Sequence, residues 1–266
     1  MAFKIIVCAK QVPDTNEIKI DPVKKTLIRE GVPSILNPDD ANALEEALKI
    51  KDMYPDTYIT VITMGPPQAK DMLLECLAMG ADEGILASDR ALGGSDTWAT
   101  SNALAATINK IGDYDLIFAG RQAIDGDTAQ VGPQIAEKLG LPQVTYVSEF
   151  EIDKDNNYIT VKRSLEDGYE LIKIKTPCLL TAIKELNTPR YMSVRGIFDA
   201  VKKDIKTWGA KELEVDLNKV GLEASPTNVF CSFTPAPKGK SIMIEAATDK
   251  EIVQKLISTL KTKLII

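Results

Sequence analysis

Histidine is absent from this sequence of 266 residues. Its absence removes the commonest general base, the usual Ser–His and Cys–His arrangements, and His-ligated zinc or iron. Cysteine is scarce. Cys8, Cys76, Cys178 and Cys231 stand far apart with no CxxC pair, so nothing supports an iron–sulfur cluster held by this chain alone, and the thiols read as plain core side chains. Any redox chemistry must therefore ride on a bound organic cofactor. No apolar run approaches the roughly 20 residues that span a bilayer. The start, MAFKIIVCAKQ, turns polar too soon for a secretory signal, so the expectation is a cytoplasmic protein with no membrane partner. With 32 Lys and Arg against 38 Asp and Glu, the formal net charge of −6 leaves no excess of positive charge to hold nucleic acid. Two nucleotide motifs are also missing. There is no GxGxxG after the first apolar run and no GxxxxGK[ST] anywhere, which disfavours a standard dinucleotide Rossmann site or a P-loop.

What is present alternates. Phe3 to Ala9 is a continuous apolar run, as a strand buried on both faces requires. A polar excursion follows in which EIKID and KTLIRE pattern as a small hairpin. NPDDANALEEALKIKDMY predicts a helix, with Asn37 or Asp39 able to cap it. Thr57 to Met64 is the next strand, broken by Gly65, Pro66 and Pro67. A helix through Leu73 and Leu77 ends at Gly80. EGILA is a third strand, a helix runs from about Thr97 to Ile111, and Tyr114 to Gly120 is a fourth strand followed by a loop and a helix. Strand and helix in strict alternation with short connections predict an α/β fold with a doubly wound, mostly parallel sheet. After Pro142 the pattern changes to appended antiparallel strands joined across Asn156–Asn157, then one more apolar strand, PCLLTA. From Asn187 onward the alternation stops. The segment to residue 200 reads as a loop and short helix, residues 202–240 as an extended arm, and residues 249–264 as a terminal helix with Thr248 as its cap. The expected division is a nucleotide-binding domain over 1–190 and a partner-docking loop, arm and helix over 191–266. An arm of this kind packs on another chain.

In such sheets ligands bind outside the carboxyl ends of the strands. Four loops converge there: Lys10–Asp14, Met64–Pro67, Leu92–Thr97 and Gly120–Gly132, with Asn37–Asp40 at the same rim. The fourth is the most informative. Gly120, Gly126 and Gly132 allow close backbone approach, Thr128 offers a hydroxyl, and the following helix offers free N–H groups, a combination that suits a phosphate. Asp125 and Asp127 suit a turn cap, a hydroxyl, or the orienting of Arg121 and Lys10. An ordinary capped β–α turn accounts for the same spacing.

Six short stretches occur together: VCAKQVPD, NPDD with the MGP turn, AMGAD, GRQAIDGDTAQVGP, VKRSLEDGYELIKIKTPCLLTA and NTPRY. In this order the chain resembles the beta (small) subunit of electron transfer flavoproteins over essentially its whole length. The resemblance implies an adenine-nucleotide-binding α/β domain and, as partner, an alpha subunit carrying its own FAD. It implies AMP held by this chain in ordinary members and FAD in electron-bifurcating ones. Carried over by motif, the cofactor contacts are Ala9, Asn37, Pro38, Asp39, Asp40, Met64, Gly65, Thr97, Gly120, Arg121, Gln122, Ala123, Ile124, Asp125, Gly126, Asp127, Thr128, Ala129, Gln130 and Val131. No catalytic side chain and no metal are expected. Glycine at Gly126 with the small Thr128 and Ala129, and the stretch GGSDTWATS that brings Thr97 near a flavin, resemble the bifurcating group. That group takes electrons from NADH and divides them between ferredoxin or flavodoxin and, through the alpha-subunit FAD, a flavin-containing dehydrogenase. The loop at about Tyr191 to Gly196 matches the segment that docks acyl-CoA dehydrogenases. Two other readings share the sheet type: a regulatory ATP-binding module of the universal-stress kind, and an ATP pyrophosphatase, which would want an SGGxDS-like loop where CAKQVPD stands.

Overall fold

The computed structural model describes residues 2–14, 33–153, 157–230, 239 and 241–266. These fall into two compact units, the larger ending at Phe230 and the smaller formed by the described residues from 239 onward.

The larger unit is built on a sheet of nine strands. Its parallel part comprises β1 (Lys4–Cys8), β4 (Tyr58–Met64), β5 (Glu83–Ala87), β6 (Leu116–Gly120), β7 (Gln143–Asp153), β10 (Cys178–Ala182) and β11 (Lys206–Trp208). Strands β8 (Tyr158–Leu165) and β9 (Gly168–Lys175) extend it antiparallel. The spatial order is β11-β5-β4-β1-β6-β10-β7-β8-β9. A separate two-stranded pairing joins β2 (Gln11–Pro13) to β3 (Ser34–Leu36). The chain winds from β1 outward through β4 to β5, then returns to the other side of β1 as β6. The order thus reverses between β1 and β6, which places the switch-point crevice at their carboxyl ends.

Helices cover both faces because every central strand is apolar on both. Ile5, Val7, Ile59, Val61 and Phe118 face α1 (Pro38–Met53) and α2 (Lys70–Met79). Ile6, Cys8, Ile62, Ile117 and Ala119 face α3 (Thr97–Ile111) and α4 (Val131–Leu139). The period of two thus sorts neighbours onto opposite cores. Ile5, Ile6, Ile59 and Ile62 are essentially inaccessible, and each such side chain contributes roughly 1.5–3 kcal/mol by burial. Phe150 and Ile152 of β7, with Ile159, Val161 and Ile174 of β8 and β9, join the first core, and Phe150 is edge-on to Phe118 at 5.7 Å.

The mixed α/β architecture and parallel sheet agree with the sequence reading. The differences lie in short pieces. The chain does not leave its domain after residue 190. Helix α5 (Val194–Ala200) packs on α2, β11 adds to the β5 edge, and Asp96 Oδ2 accepts from both the N–H and the hydroxyl of Thr227. Residues 191–230 therefore belong to the larger unit, and the observed division falls after Phe230. A three-residue edge strand is too short to show a period, which is why residues 202–230 read as arm. The hairpin expected over EIKID and KTLIRE lies outside the described residues, as do 154–156 of the β7–β8 turn. Helix α6 (Asp249–Thr262) of the smaller unit carries a capping box between Thr248 and Glu251. None of its residues is buried, and Ile252, Val253, Leu256, Ile257 and Leu260 form one apolar stripe.

Candidate functional site

The crevice is organised by the first turn of α1. Asp40 is buried beneath it, and its two carboxylate oxygens accept from the backbone N–H of Lys10 and of Gly120, each at 2.8 Å. These two donors sit just past β1 and at the end of β6, so one side chain ties together the strands that flank the switch point. Burial pushes the Asp40 carboxyl up to about 7 against the opposing pull of those N–H donors. Asn37 occupies the N-cap position, yet its side chain caps nothing. Its amide donates to the Gln122 carbonyl at 2.8 Å and accepts from the Ile124 N–H at 3.1 Å, while its own N–H bonds the Lys10 carbonyl. It is fully buried. The expected helix cap is thus a cross-brace that fixes the start of the loop 121–130, and Pro38 takes the N1 place where no N–H is needed.

Gly120 is required by this packing. A Cβ there would strike Asp40 Oδ1 and lie 2.7 Å from the Asp39 carbonyl carbon. Gly132 serves a similar end, since a Cβ would lie 2.6 Å from Thr181 Cγ2. Close approach to a ligand is therefore not needed to explain either glycine. Gly126 differs: among the described residues a Cβ on it would meet nothing within 4 Å, and its φ is not in the left-handed region.

The loop between Gly120 and α4 holds strained backbone. Asp127 and Ala129 have φ of 48° and 52°, the left-handed region that non-glycine residues rarely occupy. The Ala123 carbonyl accepts from both Gly126 and Asp127. Lys10 Nζ meets Asp125 Oδ1 at 2.6 Å, and the Gln122 amide donates to Asp127. Arg121 pairs with Asp39 rather than with Asp125 or Asp127. Its Nε is 3.3 Å from Asp39 Oδ2, too poorly aligned for a hydrogen bond, so both atoms are buried without one. Desolvation raises the Asp39 carboxyl, with Arg121 opposing. Among the described residues, no partner within the chain takes the backbone N–H groups of Thr128, Ala129 or Gln130, and the first N–H groups of α4 follow directly. Thr97 opens α3 beside them. Its hydroxyl donates to the Gln130 side chain at 2.8 Å and accepts from Gln134 at 3.4 Å, so two helix N-termini converge on one rim.

The structure thus brings together most of the residues expected at the rim. Ala9 is fixed there by its N–H to Ile62, Met64 ends β4, and Gly65 turns away with its N–H on Ala87. Val131 begins α4, and Ile124 is exposed. Tyr146 was not expected. It sits at φ 58° with its ring 5.8 Å from the Arg121 guanidinium, and its place in a strand-patterned stretch carries no signal of this. Among the described residues, the thiols of Cys8, Cys76 and Cys178 are buried, and burial raises all three above the usual thiol range.

A doubly wound sheet with a rim of N–H groups over its switch point, unpaired among the described residues, has the architecture of a nucleotide-binding α/β protein. The chain belongs to the electron transfer flavoprotein family, whose domain model matches residues 24–213. It is 61% identical over 264 residues to the caffeyl-CoA reductase-Etf complex subunit CarD of Acetobacterium woodii, covering 99% of this chain and 100% of that one. It is 60% identical over 259 residues to the electron transfer flavoprotein subunit beta of Clostridium acetobutylicum, covering 97% and 98%. It is 49% identical over 272 residues to the acryloyl-CoA reductase electron transfer subunit gamma of Anaerotignum propionicum, covering 99% and 100%. Its role is that of a beta-type subunit in electron transfer.

Proposed function

We propose that this chain holds an FAD at the switch-point rim and works as the beta subunit of an electron-bifurcating flavoprotein. The carrying observation is Gly126: among the described residues neither φ nor packing requires a glycine there, and none of them takes the N–H groups of Thr128, Ala129 and Gln130 beside it. A diphosphate lying against bare backbone accounts for both. The residues fit such a group. Lys10 is paired to Asp125 and Arg121 to Asp39, which leaves the N–H groups and two helix ends to meet the anion. Asn37 and Asp40 lie beneath the loop and hold its shape rather than touch a ligand. When bound, the flavin supplies the one- and two-electron chemistry that no side chain here can.

In this reading NADH is the electron donor, ferredoxin or flavodoxin is one acceptor, and the FAD of an alpha subunit leads to the other, a flavin-containing acyl-CoA dehydrogenase or reductase. The alpha subunit covers the apolar stripe of α6 and the exposed Val229 and Phe230. The dehydrogenase meets the exposed segment that begins at Tyr191. Among the described residues no helix is long and apolar enough to cross a membrane, and we place the complex in the cytoplasm. Counting nucleotides in the purified alpha–beta complex tests the assignment. Two FAD per heterodimer supports it. One FAD and one AMP assigns the rim to a structural AMP and removes bifurcation.

A further inference from the structure

The segment from Asn187 to Val201 is strung between two anchors, one on each helix of the same sheet face. On the α1 side, Arg190 forms a fork with Glu45 through Nε and Nη2, both at 2.9 Å, and its backbone N–H adds a third bond to the same carboxylate. Its guanidinium also reaches Asp52 at 2.7 Å. Asn187 and Asn42 exchange bonds, with Asn42 donating to the Asn187 carbonyl and Asn187 donating to the Asn42 carbonyl and to Glu46. Glu45 and Glu46 are buried, so the bonds that their carboxylates accept are charge-assisted and shielded from water. On the α2 side, Gly196 is pressed against the Ala78 carbonyl so closely that a Cβ would collide with it. Ala200 is buried, and Lys203 donates to the Ala81 carbonyl at 2.6 Å. Between and beyond the anchors stand Tyr191, Val194, Phe198 and Val201, exposed by 99, 73, 69 and 72%. Their spacing puts the last three on one helical face. Four large apolar groups held in water by two rigid fixings form a surface made in advance of its partner.

We propose that Arg190 and Gly196 are positioning residues for electron delivery: they preset the aim of the Tyr191–Val201 stripe toward the acyl-CoA reductase. The inference rests on the docking reading above. A stripe that must be ordered at the encounter binds more weakly than one ordered beforehand, by about tenfold for three or four side chains.

The test uses the alpha–beta complex with the caffeyl-CoA reductase of Acetobacterium woodii as acceptor. Arg190→Gln and, separately, Gly196→Ala are expected to raise the apparent KM for the reductase about tenfold while kcat stays within about twofold. Bound nucleotide and NADH-driven flavin reduction stay native. Arg190→Lys, which keeps the charge without the fork, falls between. Phe198→Glu tests the surface directly. If it raises KM while Arg190→Gln and Gly196→Ala do not, the docking reading stands and the positioning proposal is overturned. Loss of bound nucleotide or of flavin reduction in Arg190→Gln makes the anchor a general structural element and also overturns it. An unchanged KM in Phe198→Glu removes the docking surface and the proposal with it. Release of the alpha subunit by Phe198→Glu shows that this subunit covers the stripe and removes both as well.

Discussion

Asp40 joins β1 to β6 at the switch point, and two forces on it act in opposite directions. Its oxygens accept two backbone N–H bonds, which favour the carboxylate. Burial favours the neutral acid and prevails, moving the group from an ordinary value near 3.8 to about 7. Between these values the folded chain holds a proton that the unfolded chain has released. Stability from this group is therefore full below about pH 4 and is lost as pH rises through 7. The whole interval corresponds to roughly 4 kcal/mol, of which on the order of 2–3 kcal/mol falls between pH 5 and pH 8. Asp40→Asn removes the titration. It keeps one acceptor and turns an NH2 toward the second N–H, a loss of about 1–3 kcal/mol that does not vary with pH. The penalty of the substitution is thus largest near pH 5 and shrinks toward pH 8. At roughly 2–4 °C per kcal/mol for a unit of this size, the Tm gap between native and variant narrows by about 5–10 °C over that range. Thermal unfolding of both proteins at pH 5, 6, 7 and 8 measures it, and taking the difference cancels the other carboxylates. A gap that is constant or widens with pH refutes the reasoning, because the N–H donors would then outweigh burial and Asp40 would be held as the anion.

The long elements were legible because each carries a strong period. The first strand reads as an unbroken apolar run because helices cover both of its faces, and α3 was expected over the residues it occupies, with Asp96 supplying its cap. What failed was local chemistry that depends on distant chain. Asn37 has the residue type and position of a cap, but the carbonyl of Gln122 and the N–H of Ile124 compete for its side chain. That competition is set by the fold and leaves no mark on the sequence around residue 37. Likewise the three loop glycines look alike in GRQAIDGDTAQVG. Only the packing of α1 on β6 and of α4 on β10 separates Gly120 and Gly132, where a Cβ would collide, from Gly126, where a Cβ meets none of the described residues. Edge strand β11 and the β2–β3 pairing span three residues each, below the length at which alternation can be read.

That separation of glycines supplies the remaining tests. Gly120→Ala drives a Cβ into Asp40 and the Asp39 backbone, and is expected to cost ~3 kcal/mol or more, seen as lower Tm and poor recovery of folded protein. A normal Tm would mean that α1 is not seated on β6 as described. Cys8, Cys76 and Cys178 should resist a thiol reagent in the native protein at pH 8 and all react once it is unfolded, as mass spectrometry of the labelled peptides would show. Rapid native labelling of any of the three would place a thiol in reach of the rim. Gly126→Val is the decisive counterpart to Gly120→Ala, because the two positions share a loop and differ only in what lies beside them. Among the described residues a side chain at Gly126 has open space and no positive φ to oppose it, so the nucleotide-free protein should keep its Tm within about 2 °C, the scale of a surface substitution. The same isopropyl group would stand where a diphosphate meets bare backbone, and a fully blocked contact of that kind is expected to weaken nucleotide binding at least about tenfold. Calorimetric titration with FAD and with AMP, set beside the unfolding curve, reads both quantities on one sample. Equal affinity in native and Gly126→Val protein would place the phosphate elsewhere on the rim. A fallen Tm would mean that Gly126 answers to the fold after all and marks no phosphate contact.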